Sequence, residues 1–460
     1  MNTNIFREYD IRGLADLDLT DEVIGNLGRA FATKTNRDLS IERPRIGVGR
    51  DMRISSPRLF TALTEGMRAA GADVVDLGMV PTPVVYFAKF TRDIDAVVQI
   101  TGSHNPGEYN GFKMMVGKDT LHGATIQELR TLIESSDYVT GAPGRLEDGG
   151  DILGEYAAWI GENLRRGDRP LKVAVDCGNG VTGVNAVDLV ERVLGCETIG
   201  MFTEPDGDFP NHHPDPTVPE NLEALVDVVR EQRCDVGVAY DGDGDRIGIC
   251  DENGDIIYGD TLLILLSRAV LEEHPGATII GEVKCSQSLF DDIAKHGGVP
   301  IMSQVGHSLI KAKIKETGAH LAGEMSGHIF YNDRYFGYDD GLYTTARLIE
   351  ILSKTDKSVS ELLSDVPTLY PTPEFRTECP DEVKFGVPRL VAEHFADRYE
   401  TNTIDGVRVN FGDGWALCRA SNTQPALSLR VEAQTPERRD EILAELRAAV
   451  DRATARLIED

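Results

Sequence analysis

The sequence predicts an α/β protein: three related α/β domains with mixed sheets in tandem, followed by a C-terminal α+β domain. Three observations carry this. The chain has 460 residues, about three domains' worth at ~150 residues each, which excludes a single compact module. Three stretches spaced somewhat over a hundred residues apart share one pattern, a short apolar run, a turn rich in Gly, Asp or Ser, and then a helical segment. Beyond residue 403 the pattern changes to alternating strands with hairpin turns, closed by a long amphipathic helix.

In chain order, RIGVGRD (45–51) precedes a helix expected near Ser56, KVAVDCGNG (172–180) one near Val184, and ATIIGEVKCS (277–286) one near Leu289. Apolar strands running into helices indicate βα units and buried, parallel or mixed sheets. The repeat lies in the pattern rather than in the residues. In TIDGVRVNFGDGWALCRASNTQPALSLRVEAQT, Asp405-Gly406 and Gly412-Asp413-Gly414 are hairpin signals, and a helix is expected over 436–457 with Pro436 at its start. Seams are expected at 141–154, 251–259 and 367–373. They divide the chain into 1–148, 149–255, 256–368 and 369–460.

The 47 basic and 76 acidic residues give a net charge of -29. A general binder of nucleic acid or of anionic membranes needs a basic footprint, so both are excluded. With 41% hydrophobic residues the chain still has enough apolar surface to fold. Lysine is scarce, 13 against 34 arginines. A salt-adapted host and an ordinary acidic cytoplasmic protein both fit that balance. Seven scattered cysteines without a CxxC pair predict neither a disulfide framework nor a zinc site. MNTNIFREYDIRG is no basic-then-apolar leader, and the best apolar run, 262–266, is far short of the ~18 residues of a membrane span. A soluble cytoplasmic protein is expected.

TGSHNP (101–106) follows the strand-like DAVVQI (95–100), so Ser103 falls in a turn at a strand's C-terminal end, where α/β folds bind ligands. Taken alone, an ordinary Ser/Asn/Pro turn fits better. His104 could serve as a base, but chain neighbours generally point apart, and a Ser–His couple is not expected. No G-x-S-x-G elbow is present, which argues against an α/β-hydrolase.

DGDGDR (241–246), between CDVGVAY and RIGIC, is more specific. Alternation points Asp241, Asp243 and Asp245 to one side, where a hard cation relieves their repulsion. An EF-hand is excluded, because Arg246 stands where the sharp turn needs glycine and the flanks are strands. Mg²⁺ is the preferred ion, since three carboxylates leave room for a phosphate oxygen. GEMSGH (323–328) alternates Glu324, Ser326 and His328 so that all three can face one way, as recognition of a polyol requires. RASNTQP (419–425) offers the guanidinium of Arg419 with the hydroxyls of Ser421 and Thr423, a set that matches a phosphate. Each of these last two is weak alone.

These four loops, in this order and at these distances, resemble the α-D-phosphohexomutase superfamily. FREYDIRG (6–13), YNGFK (109–113), EVKCS (282–286) and VGHS (305–308) match further family segments, so the resemblance covers essentially the whole chain. GEMSGH and RASNTQP most resemble the bacterial dual-specificity phosphomannomutase/phosphoglucomutase branch. The resemblance implies four domains around a central active-site cleft. It also implies Mg²⁺-dependent interconversion of the 1- and 6-phosphates of mannose and glucose, through a phosphoserine and a hexose 1,6-bisphosphate.

On that resemblance Ser103 is the phosphoserine and holds Mg²⁺ together with Asp241, Asp243 and Asp245. Lys113, Arg246 and His328 are candidates for proton transfer and charge stabilisation, Lys113 as a base only if its surroundings depress its pKa. Glu324 and Ser326 read sugar hydroxyls, while Arg419, Ser421, Asn422 and Thr423 clamp the non-reacting phosphate. Tyr9, Arg12, Lys284 and His307 line the cleft. A monomer is expected, with phosphorylated hexose and its bisphosphate as partners, and an acidic exterior around a locally basic cleft.

Gln424 departs from branches with an acidic residue there, and Met325 from glucosamine-dedicated branches with Gln. The competing readings are a phosphoglucosamine mutase, a metal-dependent phosphatase, and a non-catalytic metal- or sugar-phosphate-binding protein.

Overall fold

In the first sheet the strand Arg45–Arg50 lies parallel between Asp73–Met79 and Ala96–Ile100, and Tyr109–Val116 returns antiparallel beside Ala96–Ile100. The second sheet repeats this order, with Lys172–Asp176 between Glu197–Met201 and Val236–Tyr240 and with Ile247–Cys250 returning antiparallel. The third does so again, with Thr278–Glu282 between Val299–Ser303 and Leu321–Gly323 and with Ile329–Tyr331 returning. A repeat barely visible in the residues is thus plain in the strand order. The computed structural model describes residues 1–421 and 425–459.

One consequence positions the site. Of the four strands just named in each unit, the third and fourth in chain order are joined by a hairpin loop, and these loops are residues 101–108, 241–246 and 324–328; the first sheet has one further strand, Ile11–Leu14, ahead of its four. TGSHNP, DGDGDR and most of GEMSGH therefore occupy one topological position, repeated three times.

Helices begin where the sequence marks them. Ser56–Ala69 carries proline in its first turn and buries Leu59, Phe60, Leu63 and Met67. Gln287–Lys295 starts behind a Ser286 cap. The segment near Val184 differs from expectation. It breaks into the 3₁₀ turn Val181–Val184, the short Ala186–Asp188 and the wide π turn Leu189–Val193. Gly183 and the β-branched residues around it support a continuous helix poorly, and Asn185 at φ -149° interrupts it.

The C-terminal unit is an antiparallel meander of Glu400–Asn402, Val407–Asn410, Gly414–Ala420 and Ala426–Ala433. Gly406 and Gly412, at φ 78° and 85°, make its turns. The helix Pro436–Glu459 buries Ile442, Leu446, Ala449, Val450 and Ala453, the spacing of a single apolar stripe. At the expected seams, Leu146–Asp148 pairs with the first sheet, Ile256–Ile257 with the second and Tyr370–Pro371 with the fourth.

One apolar core runs through the first three units, from Val75 to Leu363, whereas the C-terminal unit has its own. Its junction with the third unit is small, formed by Val283, Trp415 and Leu417. There the buried Arg408 lies 3.7 Å from the Trp415 ring and donates to the carbonyls of Val283 (2.6 Å) and Cys285 (2.8 Å). All seven cysteines are buried and free. Among the described residues no helix is long and apolar enough to cross a membrane.

Candidate active site

Ser103 sits in the first of the three loops, 2% exposed and with φ 50°. Its hydroxyl lies 2.8 Å from Asp241 Oδ2 and 3.0 Å from Nδ1 of His104. The Ser–His couple therefore exists, against the sequence expectation. The left-handed backbone at Ser103 folds the chain back, so the two side chains converge instead of diverging as on an extended strand. Burial, reinforced by Arg246 and Arg12, holds His104 well below the ordinary histidine range, and its ring is neutral at pH 7.

Asp241, Asp243 and Asp245 are fully buried, with one ligand oxygen each within 4.8 Å of the others. Gly244 at φ 79° makes the bend. Asp241 Oδ1 accepts from the backbone N–H of Gly244 (3.0 Å) and Arg246 (3.2 Å). Thr82, at the start of a first-unit helix, donates to Asp243 Oδ2. Oδ1 of Asp243 and of Asp245 has no hydrogen-bond partner among the described residues. Burial and the neighbouring carboxylates push Asp241 well above the ordinary carboxyl range, and burial with Asp243 raises Asp245. Burial opposes ionisation of Asp243 too, but Lys113 outweighs it and holds that carboxyl low. The cluster is able to hold a metal ion.

Lys113, from the strand Tyr109–Val116, reaches into this cluster, 2.6 Å from Asp243 Oδ2 and in contact with Asp245 Oδ2. Burial opposes its charge, yet Asp243, Asp245 and Asp241 outweigh that and hold the ammonium well above the ordinary lysine range. The depressed pKa that a lysine base needs is not present; in this arrangement Lys113 is a fixed cation.

Arg246 and His328 face each other across an isolated antiparallel bridge that ties the second loop to the third. Arg246 Nε donates to His328 Nε2 at 2.9 Å, and His328 Nδ1 lies 3.0 Å from Asp339 and 3.6 Å from Asp245. Asp339 also takes Lys311 at 2.8 Å and lies 3.6 Å from His307, whose ring stacks on His328. Glu324 instead accepts from the Gly306 N–H (2.7 Å) and the Ser326 hydroxyl (3.0 Å). The three alternating side chains of GEMSGH therefore do not act together. Gly327, at φ 90°, turns the chain between Ser326 and His328 and sends the imidazole to the carboxylates.

Over this floor opens a cleft of about 320 Å³ that draws Tyr9 and Arg12 from the first unit, Arg246 from the second, Lys284 and His307 from the third, and Arg419 and Ser421 from the fourth. Six of its lining residues are cationic and three are carboxylates, so the cleft is locally basic. Arg12 donates to Asn105 at 2.9 Å, beside the serine loop. Arg419 Nε and Nη2 approach Asp405 Oδ2 at 3.2 and 3.1 Å, and the same oxygen accepts the Val305 N–H. Lys284 reaches Glu374 of the C-terminal unit at 3.4 Å. Asn422 and Thr423 lie outside the described residues.

Sequence comparison decides the family. Descriptions of the phosphoglucomutase/phosphomannomutase alpha/beta/alpha domains I, II and III match residues 3–139, 155–254 and 258–370, and that of the C-terminal domain matches 374–449. The chain belongs to the phosphoglucomutase/phosphomannomutase family. Among relatives, the phosphomannomutase/phosphoglucomutase of Pseudomonas putida is 48% identical over 94% of this chain and 92% of its own. That of Pseudomonas aeruginosa is 46% identical over 95% and 94%. A solved phosphoglucomutase/phosphomannomutase family protein from Burkholderia thailandensis superposes with a TM-score of 0.91 at 42% identity, over 98% of both chains.

In this phosphoglucomutase/phosphomannomutase family member, several site residues escape sequence reasoning. Thr82, Asp339 and Arg376 stand in no motif and reach the site only through tertiary structure, whereas Arg7 lies inside FREYDIRG but carries no signal of its own beside Tyr9 and Arg12. His104 carries a signal, its place beside Ser103, but the extended geometry that would separate the two side chains does not hold there.

Proposed function

We propose that the protein interconverts mannose 1-phosphate with mannose 6-phosphate, and glucose 1-phosphate with glucose 6-phosphate, through a phosphoserine at Ser103 and a hexose 1,6-bisphosphate. The observation that carries this reading is that Ser103 Oγ lies 2.8 Å from Asp241 beneath a basic cleft lined by residues of all four units. A nucleophile, an acidic cluster and a separate Arg419 clamp are more than binding alone requires. The relatives named phosphomannomutase/phosphoglucomutase support the two sugars.

Mg²⁺ suits the donor set. Asp241, Asp243, Asp245 and the Ser103 oxygen are hard ligands, and the bare Oδ1 atoms of Asp243 and Asp245 await a cation. When bound, the ion neutralises charge on the transferring phosphoryl group.

In the first transfer a sugar hydroxyl oxygen bonds to phosphorus as the phosphorus–Oγ bond breaks, and the hydroxyl proton passes to a side chain. Lys113 and Arg246 stabilise negative charge there. His328 is the candidate for the proton once Arg246 Nε swings away from its Nε2, the ring nitrogen that keeps a lone pair while Nδ1 faces Asp339. The second transfer reverses these bonds from the other end of the sugar. Glu324 and Ser326 read sugar hydroxyls, and Arg419, Ser421, Asn422 and Thr423 grip the idle phosphate. A clamp that recognises phosphate tolerates both orientations. We take the enzyme to work as a cytoplasmic monomer divided at 1–148, 149–257, 258–368 and 369–460, the second boundary standing two residues later than the sequence suggests because Ile256–Ile257 pairs with the second sheet.

The test is a coupled assay with mannose, glucose and glucosamine 1-phosphates, Mg²⁺ and a trace of glucose 1,6-bisphosphate, beside Ser103→Ala. Isomerisation of the first two sugars, lost in the variant, is expected. Full activity of Ser103→Ala would falsify the phosphoserine mechanism, preference for glucosamine would change the substrate, and release of free phosphate would mark a phosphatase.

A further inference from the structure

The side chain of Arg53 is fully buried, and the reading of Ser103 as nucleophile gives it no role. Its guanidinium lies under the serine loop. Nη1 donates to the carbonyls of Pro106 (2.6 Å) and Tyr109 (2.9 Å), and Nη2 to those of Ser103 (2.7 Å) and Asn105 (2.5 Å). Four backbone acceptors, three in the loop and one at the start of the strand after it, thus converge on one planar fork, which a lysine ammonium cannot span.

The charge is balanced locally. Asp51 Oδ2 lies 3.2 Å from Arg53 Nε and accepts the Gly102 N–H, while Asp51 Oδ1 takes the Arg53 N–H and the Ser56 hydroxyl. Phe209 of the second unit covers the guanidinium at 5.3 Å. The fit is close, because a Cβ on Gly102 would fall 2.5 Å from Arg53 Cζ.

Ser103 holds a left-handed backbone, which a non-glycine residue disfavours because its Cβ crowds the following carbonyl. Such a conformation persists only where the surroundings over-determine it. Here the Ser103 carbonyl is drawn down onto Arg53, while its N–H goes to Thr101 Oγ1 at 2.8 Å. With both peptide groups fixed, the Cα–Cβ bond is aimed at the cluster, and Oγ takes the rotamer that reaches Asp241 and His104.

We propose that Arg53 is a positioning residue for phosphoryl transfer, holding the backbone of residues 103–109 so that Ser103 Oγ points into the carboxylate cluster. The proposal rests on Ser103 being the group that carries the phosphoryl.

Arg53→Lys tests it, with Gly102→Ala as a second variant that crowds the guanidinium without removing it. Steady-state kinetics with glucose 1-phosphate and glucose 1,6-bisphosphate, intact mass of the phosphoserine form, and hydrogen exchange of amides 103–109 are the readouts. Misplacement of a reacting atom by about 1 Å costs on the order of 100-fold. Arg53→Lys should lose about that factor in kcat with KM within threefold, load phosphate on Ser103 correspondingly slowly, and exchange faster in 103–109 alone. Should Arg53→Lys not fold, Gly102→Ala must show the same split. A folded variant with kcat within threefold of wild type, or with KM and kcat falling together alongside global loosening, overturns the proposal. Activity retained by Ser103→Ala defeats the phosphoserine reading instead, and is scored separately.

Discussion

Ser103 Oγ and His104 Nδ1 lie 3.0 Å apart, although the two residues are adjacent in the chain. The contact needs the 50° φ of Ser103 and gives the hydroxyl an imidazole partner that burial keeps neutral. His104→Gln should lower kcat by about 100-fold, the lower range for proton-transfer and orienting groups, with KM within a few-fold. A ring already neutral contributes no limb near pH 6.5, so variant and wild type should give parallel pH–rate profiles between pH 6 and 8. A wild-type kcat, or a limb that vanishes with the histidine, removes His104 from this role.

Arg419 sits in the cleft with its guanidinium on Asp405. Arg419→Ala should raise KM for glucose 1-phosphate roughly 30- to 150-fold, the equivalent of ~2–3 kcal/mol for a charge-assisted contact. The value of kcat should stay within threefold. An unchanged KM takes Arg419 out of the binding site.

Asp340 is buried among three aromatic residues. It accepts the hydroxyls of Tyr156 (2.8 Å) and Tyr335 (2.6 Å) and the Tyr343 N–H (2.8 Å), and burial raises its pKa to about 7. The folded chain therefore keeps this proton up to about pH 7, while the unfolded chain releases it near 4. Between those values the native state binds more protons, so stability falls as pH rises, by at most about 1.4 kcal/mol per pH unit. Denaturant melts of wild type and Asp340→Asn at pH 5 and pH 7 should diverge, wild type losing more. Glu282, also raised to about 7 by burial, gives the same sign but is common to both proteins. Parallel losses would mean that Asp340 is ionised in the native state.

The whole chain carries a charge of -29, yet its cleft is lined by twice as many cations as carboxylates. At 0.1 M salt exposed charges more than ~10 Å apart are largely screened from one another. Added KCl should therefore raise the melting temperature by relieving exterior repulsion, and should lower kcat/KM by weakening phosphate capture. If kcat/KM climbs on the first additions of salt, the distant acidic field governs encounter.

Spacing makes part of this legible. Alternate aspartates in DGDGDR converge because the glycines between them let a short loop bend, and Asp405-Gly406 marks a turn for reasons local to two residues. What stays hidden depends on contacts far along the chain. Arg53 meets carbonyls 50 to 56 residues away, Thr82 meets Asp243, and Asp339 gathers His328, His307 and Lys311. None of these has a partner at a characteristic spacing. His104 is hidden for a different reason, since the sequence around Ser103 does not announce a left-handed serine. Lys113 is legible as a residue but not in its charge state, because that is set by carboxylates from another unit.

The hairpin between third and fourth strands recurs three times, and each copy has been put to a different use. Residues 101–108 offer the nucleophile, 241–246 the acidic cluster, and 324–326 of the third hairpin the polar groups assigned to the sugar. Apart from the bridge between Arg246 and His328, this division of labour leaves the sugar-facing residues free to vary alone. Altering residues 324–326 should retune which hexose is accepted while the two other hairpins go on handling phosphorus unchanged, so sugar preference can drift among such proteins without the chemistry being reinvented.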